Sequence, residues 1–223
     1  MGIAFILVEP AVPENIGAAA RAIKTMGFNE LILVNPCNYL EGPARWLAHG
    51  STDILENAKV FSSLSDAVSA FDFVIGTTAK KRSVRYDYYS LTDLQELLNR
   101  KGGLIEKPAL VFGREESGLR NDELKLCDLV TTVPLKTIYP SLNLAQAVML
   151  YAWELSKPGQ NEITKEIFTE TESLKILLEK VRIVLTKTGF EENSLIFSRF
   201  MERINIMGKD DIQLLHSFCN KFL

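Results

Sequence analysis

Short apolar runs recur along the first two thirds of the chain: Ala4 to Val8, Leu31 to Val34, Phe73 to Gly76, Ala109 to Phe112 and Leu129 to Val133. Between them lie segments of helical period, Ile16 to Met26, Leu64 to Ala70, Leu91 to Asn99, Asn121 to Leu126 and Leu142 to Leu155. Apolar runs too short for helices, alternating with amphipathic segments, predict a βαβα order and a parallel sheet, hence an α/β domain. Asn121-Asp122-Glu123 opens one helix with acids in its first turn, where they suit the positive end of the helix dipole.

The pattern changes after Leu155. Ser156-Lys157-Pro158-Gly159-Gln160-Asn161 is polar and rich in breakers, and no strand signal follows it. The expected division is therefore an α/β domain over 1–156 and a small helical extension over 157–223. In the extension Leu174, Leu177, Leu178, Val181 and Leu185 share one helical face, with breaks near Gly189 and Gly208. So small a helical unit can hardly bury its own faces, so it is expected to pack on the main domain or on a partner subunit.

Composition excludes several classes of function. The 223 residues are 47% hydrophobic and 24% charged, enough apolar material for one sizeable core. Cys37, Cys127 and Cys219 are far apart, with no CxxC pair and no histidine at ligand spacing, so neither a disulfide framework nor a metal site is expected. Ile3 to Val8 is too short to cross a membrane and follows no basic segment, and Ile6 stands where a myristoylation signal wants Ser or Thr. The expected location is the cytoplasm. A net charge of −3 argues against coating nucleic acid through bulk charge, so RNA contact needs a local patch. Lys80, Lys81, Arg82 and Arg85 interleaved with Tyr86, Tyr88 and Tyr89 form the best candidate, since tyrosines can stack on unpaired bases. A solvated loop with its tyrosines packed underneath is the competing reading.

Ligands of parallel α/β sheets bind beyond the carboxyl ends of the strands, and three segments there carry unusual polar content. The first is Glu9-Pro10-Ala11-Val12-Pro13-Glu14-Asn15-Ile16-Gly17-Ala18-Ala19-Ala20-Arg21, a proline-stiffened loop entering a small-residue helix. Asn15 is a candidate cap of that helix; Arg21, a turn and a half on, is either functional or an exposed helix cation. The second is Gly113-Arg114-Glu115-Glu116-Ser117-Gly118-Leu119, with glycines at both ends, and without the spacing of a Rossmann or P-loop phosphate site. The third runs from Val133 to Ala147 through Pro134, Pro140, Ser141, Leu142 and Asn143. Ser141 reads there as a helix N-cap, or as part of a loop whose backbone groups encircle a ligand.

In order, the three segments resemble the motifs of the SpoU branch of the SPOUT methyltransferases: Asn-x-Gly-x-x-x-Arg at Asn15 to Arg21, Gly-x-Glu-x-x-Gly-Leu at Gly113 to Leu119, and Pro-(x)-Ser-Leu-Asn within Pro134 to Asn143. Together they are specific, and the resemblance covers residues 3–156 strongly and the tail loosely. Arg21 to Gly27 and Ala109 to Glu115 look like the TrmJ type, which methylates tRNA; Arg45 to Ser51 and Val84 to Tyr89 look closer to the LasT type. The resemblance implies an α/β SPOUT fold with a deep trefoil knot, which topology rules alone would disfavour. It also implies a homodimer with sites completed across the interface, S-adenosyl-L-methionine (SAM) as cofactor, no metal, and methyl transfer to a ribose 2′-hydroxyl of tRNA. The same chemistry on rRNA, or a catalytically silent RNA-binding protein on this fold, are the alternatives.

By that resemblance SAM is held around Thr77, Thr78, Ala79, Gly113, Val133, Ser141, Leu142 and Asn143. Arg21 is the family's catalytic arginine. Because a guanidinium is effectively never deprotonated, its assigned work is to orient the ribose-phosphate and stabilise oxyanion charge. Asn15, Ser141 and Glu115 complete the catalytic set, with Ser141 and Asn143 fixing local geometry and Glu115 bracing the SAM loop. The proton leaves through Ser141, a phosphate oxygen or water; His49 is a weaker candidate base, a lone histidine being more often structural. Lys24, Lys81, Arg82, Arg85 and Arg114 are the expected RNA contacts.

Overall fold

The computed structural model describes residues 2–80, 82, 87–137, 141–157 and 174–223. The chain divides into two compact units, Met1–Leu94 with Lys107–Pro158, and Gln95–Glu106 with Gly159–Leu223.

Among the described residues, the first unit is built on seven strands, β1 (Ala4–Val8), β2 (Glu30–Val34), β3 (Lys59–Phe61), β4 (Phe73–Thr77), β5 (Tyr89–Ser90), β6 (Pro108–Phe112) and β7 (Leu129–Thr132). They lie in the order β3-β2-β1-β6-β4-β7-β5, and every pairing is parallel. The register sets Ile6 between Ile32 of β2 and Val111 of β6. Every residue of β1 and β6 is buried, which is why these strands read as unbroken apolar runs: both faces of the sheet are covered. One face packs Ile6, Val8, Ile32, Val74, Val111 and Val130 onto Leu64, Phe71 and Leu124. On the other, Phe5 stacks on Phe112, and Tyr151 meets Phe112 edge-on at 5.4 Å.

Among the described residues, seven helices begin in this unit: α1 (Pro13–Thr25), α2 (Pro43–Leu47), α3 (Thr52–Glu56), α4 (Leu64–Val68), α5 (Leu91–Lys101), α6 (Asn121–Lys125) and α7 (Leu144–Ser156). Two capping expectations are corrected. Pro13 opens α1 and Val12 is its N-cap with no side-chain bond, so Asn15 lies inside the first turn, buried. Asn143, not Ser141, caps α7: its Oδ1 accepts from the amides of Ala145 (2.9 Å) and Gln146 (3.4 Å), and Gln146 accepts from Asn143 N in return. Ser141 is thereby left outside the helix and exposed.

In the second unit the later part of α5 joins a short 3₁₀ turn (Gly102–Leu104) and helices α8 (Leu174–Lys187), α9 (Leu195–Ile204) and α10 (Lys209–Cys219). Leu174, Leu177, Val181 and Leu185 are buried and Leu178 is half-buried. Gly189, at φ 91°, follows the end of α8 and Gly208 caps the start of α10, so both glycines punctuate the chain. Lys101 is buried here, and its ammonium donates to Ile204 O.

Candidate active site

Strands β6, β4 and β7 are neighbours, so their parallel direction gathers three carboxyl-terminal loops at one edge of the sheet. Between those loops and the start of α7 lies a cavity of about 510 Å³, within the ordinary size of a small-molecule site. Phe112, Leu144 and Tyr151 give it an apolar wall; Thr77, Thr78, Ala79, Gly113, Val133, Ser141 and Leu142 line it. Those seven are the expected cofactor residues other than Asn143, which stands at the helix cap instead of in the lining. Buried Tyr151 shares a hydrogen bond with Thr131 Oγ1 (2.8 Å) beneath this wall, and burial pushes its phenol well above the ordinary range.

Gly113 has a steric reason to be glycine. A Cβ there would run into the backbone of Gly118 and Leu119, so the loop can fold back on itself only without a side chain at this point. Gly118, at φ 66°, makes the return turn.

A chain of hydrogen bonds joins residues from all three sequence segments. Glu115 accepts from Ala11 N (3.2 Å), Val12 N (3.3 Å) and Asn15 Nδ2 (3.0 Å), and Asn143 Nδ2 donates to Asn15 Oδ1 (2.7 Å). The carboxylate thus holds the two amides that lead into α1, near the positive end of its dipole where negative charge is favoured. Burial raises the Glu115 pKa, but the bonds from Asn15 and from the amides of Glu115, Ala11 and Val12 outweigh it and hold the carboxyl below its usual value.

The expected RNA contacts part company. Arg114 is 13% exposed along its side chain, and its guanidinium is engaged by Glu9 and by both oxygens of Glu123. It is committed to these carboxylates, where the expectation was a phosphate contact. Arg82 lines the cavity and donates to Ser117 O (2.7 Å), tying the loop after β4 to the loop after β6. Lys24 is exposed and paired with Asp53. Lys81, Arg85 and Tyr86 lie outside the described residues. Tyr88 packs against the core and its hydroxyl bonds both the backbone N and O of Arg82, so this ring supports the loop from below.

Arg21 is exposed on α1, outside the lining of the cavity, and makes no hydrogen bond or ion pair among the described residues. His49 is exposed and also outside the lining. Glu9 and Glu123 were not singled out from sequence as site residues. The available signal was an acid at the end of β1, and a second in the first turn of α6 that read simply as a dipole partner. Among the described residues no group of three or more His, Cys, Asp or Glu could hold a metal ion.

Comparison with known proteins adds an independent finding. Residues 2–153 match the model of the SpoU rRNA Methylase family. The chain is 42% identical over 217 residues to the uncharacterized tRNA/rRNA methyltransferase LasT of Escherichia coli, covering 97% of this chain and 95% of that one. It is 31% identical to the tRNA (cytidine-2′-O-)-methyltransferase TrmJ of Methanocaldococcus jannaschii, over 97% of this chain and 98% of the relative. Among solved structures, TrmJ from Z. mobilis superposes with a TM-score of 0.67 at 28% identity, covering 100% of this chain and 99% of that one.

Proposed function

Since the chain belongs to the SpoU rRNA methylase family and is a methyltransferase, we propose that it moves a methyl group from SAM to a ribose 2′-hydroxyl of tRNA. The observation that carries this reading is the hydrogen-bonded chain Glu115–Asn15–Asn143. It draws three segments, up to 128 residues apart in sequence, together beside a cavity of cofactor size. The name of the M. jannaschii relative supports tRNA as the acceptor, and that of the E. coli relative admits rRNA.

The cavity suits SAM on its own features. Phe112, Leu135, Leu144 and Ala147 offer apolar surface to an adenine, the backbone at Thr77–Ala79 and Gly113–Gly118 offers polar groups to its edges, and Glu115 and Glu116 place acid near a cationic ligand. SAM supplies a methyl carbon already activated by its sulfonium. What remains for the protein is to orient the ribose oxygen and favour loss of its proton.

Ser141, outside the helix cap and lining the cavity, serves as a relay, accepting that proton as its own passes to water or a phosphate oxygen. Arg21, without a partner among the described residues, binds the ribose-phosphate and stabilises the developing oxyanion. Its position outside the cavity lining supports a homodimer in which one subunit's Arg21 serves the partner's site. Membership of the family supports a trefoil knot around these loops. The proposed location is the cytoplasm.

Two measurements test the reading. Millimolar SAM should raise the melting temperature by mass action, with or without EDTA. Ribose-methyl mapping in total RNA from cells lacking the gene should show a single tRNA methyl missing. A loss confined to rRNA would move the substrate, and a protein unmoved by SAM would sink the assignment.

A further inference from the structure

Arg114 is held by an arrangement out of proportion to a loop residue. Its Nε donates to Glu9 Oε2 (2.7 Å), Nη2 reaches Glu9 Oε1 (2.7 Å) and Glu123 Oε1 (2.9 Å), and Nη1 donates to Glu123 Oε2 (2.9 Å) and Gly118 O (3.3 Å). Every nitrogen of the fork is used, so a phosphate could reach it only by displacing a carboxylate. Glu123 also accepts from Arg120 N (2.6 Å), and Gly118 N donates to Arg114 O (2.9 Å). One carboxylate therefore grips both ends of the segment from Arg114 to Arg120. The other comes from Glu9, which follows β1 with φ 46°, a conformation a non-glycine residue rarely takes, its amide fixed on Val34 O. Arg114 holds the Glu9 carboxyl below its usual range, which favours the ionised pair.

We propose that Arg114 is a positioning residue for cofactor binding: clamped between Glu9 and Glu123, it holds the loop from Gly113 to Arg120 in the shape that lines the cavity and delivers Glu115 to α1 and Asn15. The proposal rests on reading that cavity as the SAM site. Lysine at this position keeps the charge but has one nitrogen where the clamp needs a planar fork across two carboxylates.

The test compares the full-length wild type with Arg114→Lys and Glu9→Gln, measuring SAM affinity by titration calorimetry, steady-state kinetics, melting, and RNA binding across a salt series. Arg114→Lys should raise both the Kd and the KM for SAM by about tenfold or more, as expected for loss of a charge-assisted hydrogen bond. At saturating SAM its kcat should stay close to wild type, and RNA affinity and its salt slope should not move. Glu9→Gln keeps the side chain's size and should weaken SAM in the same direction, which preserves the test if Arg114→Lys fails to fold. A folded Arg114→Lys protein that binds SAM within about twofold of wild type overturns the clamp. So does a variant with normal SAM affinity but weaker RNA binding and a shallower salt slope, the behaviour of a phosphate contact. Wild-type protein that binds no SAM overturns the functional reading itself, an outcome distinct from either.

Discussion

The Gly113–Leu119 loop and the outer face of α1 each present an arginine from the same structural unit, and they treat it in opposite ways. Arg114 is mostly enclosed and shared between two carboxylates; Arg21 is exposed and without a partner among the described residues. A cofactor pocket gains from groups fixed before the ligand arrives, because the ordering cost has been met in folding. A residue that must meet a large external substrate gains from an uncommitted charge. The same residue type can serve both purposes, and only its partners show which.

The sharpest way to break this comparison is Arg21→Ala. Its methyl-transfer kcat should fall by about 10²–10³, the usual cost of losing one group that stabilises developing negative charge, while SAM affinity and melting temperature stay at wild type. Loss of SAM binding in this variant, or full activity, would show that α1 is not the substrate side.

Glu115→Gln should invert that pattern. It weakens the hold on the segment entering α1 and the link to Asn15, so stability should drop by about 1 kcal/mol and SAM affinity should fall with it. The pH dependence has a definite sign. A carboxyl with a lowered folded-state pKa stabilises the protein above its unfolded value and loses that contribution as pH falls through the folded one. Wild type should therefore lose its advantage over Glu115→Gln on acidification below the ordinary glutamate range, and acid melting curves of the two should converge. Parallel curves down to the lowest pH would remove Glu115 from this role.

The smallest effect is expected at Lys24, which lies on α1 but already faces Asp53 across 2.6 Å in solvent. Lys24→Ala should leave the melting temperature unchanged. If Lys24 turns from Asp53 to a phosphate, the slope of log RNA affinity against log salt should flatten by about 0.7. An unchanged slope would confine the RNA face of α1 to Arg21.

Most of the sheet was legible because five of its strands are apolar runs bounded by polar loops, and β1 falls on Ala4–Val8 as expected. The edge strands were not. Lys59–Phe61 has three residues, with Val60 55% exposed, and Tyr89–Ser90 has two, so neither carries a period to detect. The helices α2 and α3 went unread as well, though α4 and α6, just as short, were marked by apolar period and by acids at a helix start. Ser141 and Asn143 are both good capping residues two positions apart, and local preference does not rank them. The choice of Asn143 comes with the bond of its Nδ2 to Asn15, made 128 residues away in the chain.

The sequence by itself determined the strand and helix alternation, the three polar segments and their order, because apolar periodicity and residue spacing are local properties. Which charges are committed and which are free was decided only by the tertiary structure. Arg114, Lys24 and Arg21 look alike as cations in loops or on helices, and nothing within a few residues of each distinguishes them. Their partners, Glu9 and Glu123, Asp53, and none among the described residues, are set by how the sheet orders its strands and packs its helices. A charge's electrostatic role depends on distance and burial in three dimensions, and those arise only when the chain has closed on itself.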